Sequence, residues 1–126
     1  MANTFSKSER ICSQIVIDDL FKKGKILKSF PFLVRYLPYS FNKGAKVQIV
    51  ISVPKRKVKK AVDRNRLKRQ IREVYRLNKK NLLEKFEEKE EGLALFLIYT
   101  GPEKAQYQDL EKKLKLLLHQ LENLGS

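Results

Sequence analysis

The chain has 126 residues, 42% of them hydrophobic, which is enough for one buried core but too little for a catalytic domain plus a separate binding domain. We therefore expect one domain over residues 1–126. The formal net charge of +14 favours a polyanion, nucleic acid first, because neutralising phosphates releases condensed counterions. A membrane partner is not expected, because no apolar run of about 18 residues and no signal pattern is visible.

These features predict a cytoplasmic protein. The single cysteine, Cys12, cannot form an internal disulfide and lacks the clustered partners of a zinc site. We expect it to be a small buried residue.

The first predicted element is a helix from Ser13 to Lys23, in which Ile17, Leu20 and Phe21 have helical spacing. The helix is followed by Gly24, a residue type that favours the left-handed conformation in which many helices end.

Three strands are predicted. Phe30 to Leu37 is rich in aromatic and branched residues, and Pro31 places this strand at a sheet edge or at a strand start. Val47 to Val53 is a second strand. Leu93 to Thr100 is apolar on both faces, which is typical of a buried strand. Glu84 to Glu91 is strongly charged and suits a solvated helix end and loop.

Two further helices are predicted. Ala61 to about Asn78 carries a core-facing stripe of Leu67, Ile71 and Val74. Tyr107 to Leu124 is a long, leucine-rich amphipathic helix. The order of helices and strands indicates an α+β sandwich with helices packed on one sheet.

The positive charge is concentrated between Lys55 and Lys80, where thirteen Lys or Arg and two acidic residues supply +11 of the total +14. At about 100° per residue, the polar side chains of the second helix fan away from its core stripe. They are Arg64, Asn65, Arg66, Lys68, Arg69, Arg72 and Arg76. An ordinary solvated surface would mix both signs, because like charges at this spacing repel. We therefore expect this face to bind phosphates, which arginine contacts in pairs of hydrogen bonds.

The letters of the same helix, AVDRNRLKRQIREVYR from Ala61 to Arg76, resemble the signature of the ribonuclease P protein family. That signature is an Arg-Asn-Arg core followed by Lys-Arg and a further Arg. The segments VIDDLFKKGK, VQIVISVPKR and LALFLIYT, the last followed by a leucine-rich helix, extend the resemblance over nearly the whole chain.

The resemblance implies a two-layer α/β sandwich with a small, mostly antiparallel sheet. It also implies an unusual left-handed βαβ crossover, as in a domain of a ribosomal protein, although such connections are normally right-handed.

The resemblance further implies an RNA-binding subunit of ribonuclease P, the endonuclease that removes the 5′ leader from precursor tRNA. Its partners would be the catalytic RNA and precursor tRNA, not DNA. The RNA and its bound Mg²⁺ would carry catalysis, with no catalytic residue or metal in the protein. The residues expected to contact the catalytic RNA are Lys55, Arg56, Lys57, Arg64, Asn65, Arg66, Lys68, Arg69, Arg72 and Arg76.

A second site implied by the resemblance is a cleft between the first helix and the sheet that holds the single-stranded leader. Phe21 and Phe32 match its aromatic residues. Ile17 and Arg35 also fall there, at positions where family members often carry an aromatic residue or a tyrosine. Burial in the core is the alternative for both phenylalanines.

Other classes of protein fit less well. A protein nuclease would need a carboxylate cluster or a histidine pair, whereas His119 is the single histidine and the adjacent Asp18 and Asp19 diverge on their helix. A DNA-binding helix-turn-helix is not indicated, because no helix with a tight turn precedes the cationic helix. The charge pattern alone would equally fit a ribosomal or other structured-RNA-binding protein without a processing role.

Overall fold

The computed structural model describes residues 9–11, 13–41, 44–102 and 104–125; Cys12 lies outside them. Its elements are, in chain order, α1 (Gln14–Lys23), β1 (Lys25–Ser29), β2 (Phe32–Tyr39), β3 (Val47–Ser52), α2 (Ala61–Asn78), α3 (Lys80–Glu87), β4 (Gly92–Tyr99), α4 (Tyr107–Glu122) and a short 3₁₀ helix (Asn123–Gly125).

The four strands form one sheet in the order β1-β2-β4-β3. The β1–β2 and β2–β4 pairs are antiparallel, and the β3–β4 pair is parallel. The predicted mixed architecture with a mostly antiparallel sheet is therefore confirmed. Because β3 and β4 are parallel neighbours, α2 and α3 form the crossover between them; its left-handed sense stays a prediction.

The larger part of the core lies on one face of the sheet. Alternate residues of β4, such as Leu93, Leu95 and Leu97, pack there with buried side chains of α2, α3 and α4. The predicted stripe of α2 is part of this core, because Leu67 and Ile71 are fully buried. This face is the two-layer sandwich of sheet and helices that the sequence predicts.

The opposite face of the sheet carries α1. Val16 and Leu20 of α1 pack on Ala94 of β4, with Leu37 and Phe96 at the margin. Successive residues of a strand point to opposite faces, so β4 is covered on both sides, as its apolar sequence predicts. The sheet thus separates α1 from the other three helices.

One local prediction needs correction, and for a second the structure decides between two alternatives. Gly24 does end α1, but its φ of −69° is not left-handed. Glycine is needed there because a Cβ would lie 2.3 Å from the carbonyl oxygen of Leu20. The strand after Pro31 begins at Phe32, as expected for a strand start, yet it is not an edge strand, because the unpredicted β1 pairs with it.

Candidate nucleic-acid interface

The helix α2 separates a buried stripe from a cationic surface. Leu67, Ile71, Val74 and Tyr75 face the core, whereas Asn65, Arg69 and Arg72 are exposed and Arg66 and Lys68 are half-buried. The apolar stripe fixes the rotation of the helix, so that the predicted cations point away from the sheet. This surface, comprising Asn65, Arg66, Lys68, Arg69 and Arg72, is called the α2 face below.

Most of the charge on the α2 face is available to a ligand. Within the described ranges, no carboxylate oxygen lies within 4.0 Å of the side-chain nitrogens of Lys68, Arg69 or Arg72. Arg66 has a long ion pair of 3.8 Å to Asp63, and such exposed pairs contribute little. A phosphate that approached Lys68, Arg69 or Arg72 would therefore not have to displace a carboxylate of the described residues.

Arg64, in contrast, is used inside the protein. One of its Nη atoms donates hydrogen bonds of 3.0 Å to the carbonyl oxygen of Val58 and 2.7 Å to that of Lys59. These contacts tie the start of α2 to the loop before it. Arg64 thus positions the loop, in addition to the RNA contact predicted from the sequence.

Arg76 is also engaged. Its guanidinium donates two hydrogen bonds to the Glu73 carboxylate, one of them of 3.2 Å from Nε. The hydrogen bond from Arg76 holds the pKa of Glu73 below its usual value, and the same bond raises the pKa of Arg76. The charge of Arg76 is therefore already paired with a carboxylate of the same helix.

The loop before α2 adds a second group of cations. Val58 is fully buried, and its backbone N–H and that of Lys57 donate to the carbonyl oxygen of Pro54. This turn leaves Lys55, Arg56 and Lys57 exposed. The buried valine anchors the loop, so the three cations lie next to the first turn of α2.

On the other side of the sheet, α1 and the strands carry the residues of the predicted cleft. Phe21 of α1 is 47% exposed, and its ring contacts Phe96 edge to face, with centroids 5.1 Å apart. The guanidinium carbon of Arg35 lies over the Phe21 ring, 4.7 Å from its centroid. Ile17 is half-buried and packs on the smaller core under α1, as Phe96 also does. Phe21 and Arg35 are thus in contact, and a role of these residues in leader binding stays a prediction.

Phe32 is placed elsewhere, which corrects its assignment to the cleft. It is 1% exposed and lies in the larger core, on the sheet face opposite α1. Its ring contacts Tyr99 at a centroid distance of 6.0 Å. The register explains the difference: Phe32 pairs with Tyr99, whereas Arg35 pairs with Phe96, and these two pairs lie on opposite faces of the sheet.

Phe96 is the cleft aromatic that sequence reasoning missed. The alternation in GLALFLIY separates Leu93, Leu95 and Leu97 from Ala94 and Phe96. That pattern shows that Phe96 and the leucines face opposite ways, but not which face α1 covers.

The groups considered for protein catalysis are not assembled into a site. His119 lies on α4, with its Nδ1 atom 3.4 Å from Glu122, and Asp18 accepts a hydrogen bond from Gln14. In the described part of the chain, no three His, Cys, Asp or Glu side chains are grouped as metal ligands would be. None of the described helices is long and apolar enough to cross a membrane.

Fold and surface together define a small basic α+β protein in which one helix and the loop before it carry a dense group of cations. A family model described as Ribonuclease P matches residues 5–122. The chain therefore belongs to the ribonuclease P protein family. It is a protein component of an enzyme complex that has an RNA partner and acts in tRNA processing.

Individual relatives agree with this placement. The chain is 32% identical over 110 residues to the ribonuclease P protein component of Porphyromonas gingivalis, covering 87% of this chain and 80% of that protein. It is 36% identical over 125 residues to the component from Dictyoglomus turgidum, covering 96% and 92%.

Solved structures of the family have the same fold. The RNase P protein from Thermotoga maritima matches with a TM-score of 0.64 and 26% identity, covering 89% of this chain and 96% of that one. The RNase P protein from Staphylococcus aureus matches with a TM-score of 0.69, covering 94% and 93%. At 22% identity, the match to the Staphylococcus aureus protein shows a shared fold alone.

Proposed function

We propose that this chain assists the catalytic RNA of ribonuclease P in removing the 5′ leader from precursor tRNA. It docks on that RNA through the α2 face and the loop at Lys55, Arg56 and Lys57. The observation that carries the proposal is the group of Lys68, Arg69 and Arg72 on α2, for which the described residues provide no carboxylate within 4.0 Å. Phosphate neutralisation at such a group releases counterions and drives binding.

The leader, in this proposal, is held on the other sheet face, at Phe21, Arg35 and Phe96. The loop with the exposed cations begins near the strand end that follows Phe96. Ser52, the last residue of β3, pairs with Ile98 of β4, so the loop that carries the exposed cations leaves the sheet at that end.

In this proposal the RNA and the Mg²⁺ ions bound to it carry the chemistry. The protein lowers phosphate repulsion and positions the substrate, which reduces the entropic part of the barrier. Its place of action is the cytoplasm. DNA and membranes are not partners.

Reconstitution tests this function. Purified protein without RNA should not cleave precursor tRNA in a Mg²⁺ titration, whereas adding the protein to its RNA should lower the Mg²⁺ concentration that cleavage needs. Robust cleavage by RNA-free protein would reject the proposal. A protein that binds the RNA without changing cleavage would favour a structured-RNA binder with no processing role.

Docking through the α2 face is tested by salt dependence. Arg72→Ala should lower the slope of log affinity against log salt by about 0.7 to 0.9, the effect of one phosphate contact. Arg76→Ala is the matched control on the same helix; it should change the slope less, because Glu73 already holds that guanidinium. Equal changes in the two variants would contradict the assignment of the contact surface.

A further inference from the structure

The cluster of Phe21, Arg35 and Phe96 joins three elements at one point. Arg35 of β2 pairs directly with Phe96 of β4, which sets both side chains on the sheet face that α1 covers. The ring of Phe21, on α1, contacts both side chains. The guanidinium is thus held against an aromatic ring at a contact distance at which a cation is attracted to the ring.

The charge of Arg35 is not neutralised by the protein. Within the described residues, no carboxylate oxygen lies within 4.0 Å of its guanidinium, and its Nε atom is buried without a hydrogen-bond partner. The Nη atoms are therefore the donors that remain for a ligand. Arg76 and Arg64, in contrast, donate to a carboxylate and to backbone carbonyls. A half-buried guanidinium whose charge no carboxylate balances attracts an anion, and phosphate oxygens accept hydrogen bonds from such a group.

The same contact limits what Phe21 can offer to a base. Arg35 lies over the ring, and Phe96 contacts it edge to face at an interplanar angle of 66°. A base that stacked on the guanidinium would cover its face but would not balance its charge. A phosphate oxygen balances the charge and accepts hydrogen bonds from the Nη atoms in the plane of the group. Lys28 lies on β1, two residues beyond the one that pairs with Arg35, so its side chain is on the same face of the sheet. It is exposed and adds positive charge there.

We propose that Arg35 binds a backbone phosphate of the single-stranded leader, and that Phe21 is a positioning residue that supports the Arg35 guanidinium. This inference rests on the proposed function of the cleft. It makes leader binding in this chain sensitive to phosphate charge and tolerant of base identity.

The test uses the holoenzyme assembled with its own catalytic RNA and precursor tRNA whose leader carries single chemical changes. A methylphosphonate linkage removes one phosphate charge, and an abasic nucleotide removes one base. One methylphosphonate position should weaken wild-type binding by roughly tenfold, in the range of a lost charge-assisted hydrogen bond. Abasic nucleotides should change the affinity less than threefold. An abasic position that costs more than every methylphosphonate would overturn the inference.

Protein variants locate the contact. Arg35→Gln should lower precursor affinity to the level of the methylphosphonate substrate, lose any further response to that linkage, and flatten the salt slope for precursor by about 0.7. Arg35→Lys should keep the slope. Phe21→Leu should reduce affinity while the response to the methylphosphonate persists. If Arg35→Gln still responded to the methylphosphonate, the assignment of the phosphate to Arg35 would be wrong.

Mature tRNA, which has no leader, separates a failure of leader binding in the cleft from a failure of the phosphate contact at Arg35. A wild-type holoenzyme that bound precursor and mature tRNA equally would reject leader binding in the cleft altogether. A clear preference for precursor that depended on leader bases would keep the cleft and reject the phosphate contact alone.

Discussion

The ammonium of Lys79 lies 2.6 Å from both carboxylate oxygens of Glu9, a residue 70 positions earlier in the chain. Lys79 sits between α2 and α3 and is 1% exposed. Next to it, Arg10 forms a parallel bridge with Ile49 on the free side of β3. The ion pair therefore fastens the segment before α1 to the junction of the two crossover helices.

Removing one partner of this ion pair should lower the free energy of unfolding. Glu9→Gln leaves a buried ammonium without its counter-charge, and we expect a loss of about 3 to 5 kcal/mol in the free energy of unfolding, measured by urea denaturation. The double variant Glu9→Gln, Lys79→Met removes both charges and should recover much of the loss. A loss below about 1 kcal/mol in the single variant would show that water or another group replaces Glu9.

Arg64 should affect stability as well as RNA binding. Arg64→Ala removes the hydrogen bonds to Val58 and Lys59 and leaves those carbonyls without this donor, which should cost about 1 to 3 kcal/mol of unfolding free energy. The control is Arg69→Ala, an equal loss of charge on the exposed side of α2, with an expected change within about 0.5 kcal/mol. Equal stability of the two variants would show that Arg64 does not hold the loop.

The buried Tyr75 predicts a loss of stability in alkali. Burial, and secondly the negative charge of Glu9, raise the pKa of Tyr75 above its usual value. The folded state keeps this proton while the unfolded chain loses it above about pH 10, so the contribution is complete below pH 10 and falls as the pH rises further. The slope is at most about 1.4 kcal/mol per pH unit. Urea denaturation from pH 9 to 11.5 should show a shallower decline for Tyr75→Phe than for wild type; parallel curves would contradict the assignment.

Phe32 should behave as a core residue. Phe32→Ala removes a fully buried ring and should cost about 3 to 5 kcal/mol of unfolding free energy. The folded fraction should keep its preference for precursor over mature tRNA, because the ring faces away from the cleft. Phe32→Leu, which retains most of the buried volume, should lose less stability. A variant that stayed stable but lost the precursor preference would restore Phe32 to the leader site.

Regular periodicity made several elements predictable. The helix α2 has the bounds predicted from its stripe of Leu67, Ile71 and Val74, and the apolar run of β4 indicated burial on both faces. The strand β1 was missed because two of its five residues are exposed lysines. Pairing with β2, which no local pattern reveals, makes it a strand.

The aromatic residue of the cleft and the buried ion pair could not be predicted from local sequence patterns. Phe32 and Phe96 are both strand aromatics, and only the register of β2 on β4 and the side taken by α1 decide which one reaches the cleft. In the sequence, Lys79 is one of thirteen cations in the basic segment. In the structure it is buried and forms an ion pair with a glutamate far away in the chain. Both outcomes depend on long-range contacts that composition and spacing do not encode.

The central position of β4 in the sheet has a consequence for synthesis on the ribosome. The strands β2 and β3, between which β4 lies, are made before α2 and α3, whereas β4 follows both helices. Until Gly92–Tyr99 has emerged, the nascent chain carries two strands that lack their common partner, including the apolar segment VQIVIS of β3. Unpaired apolar strand edges are prone to intermolecular pairing. Ribosomes that stall before residue 92 would therefore release aggregation-prone fragments, although these fragments already carry the whole cationic helix.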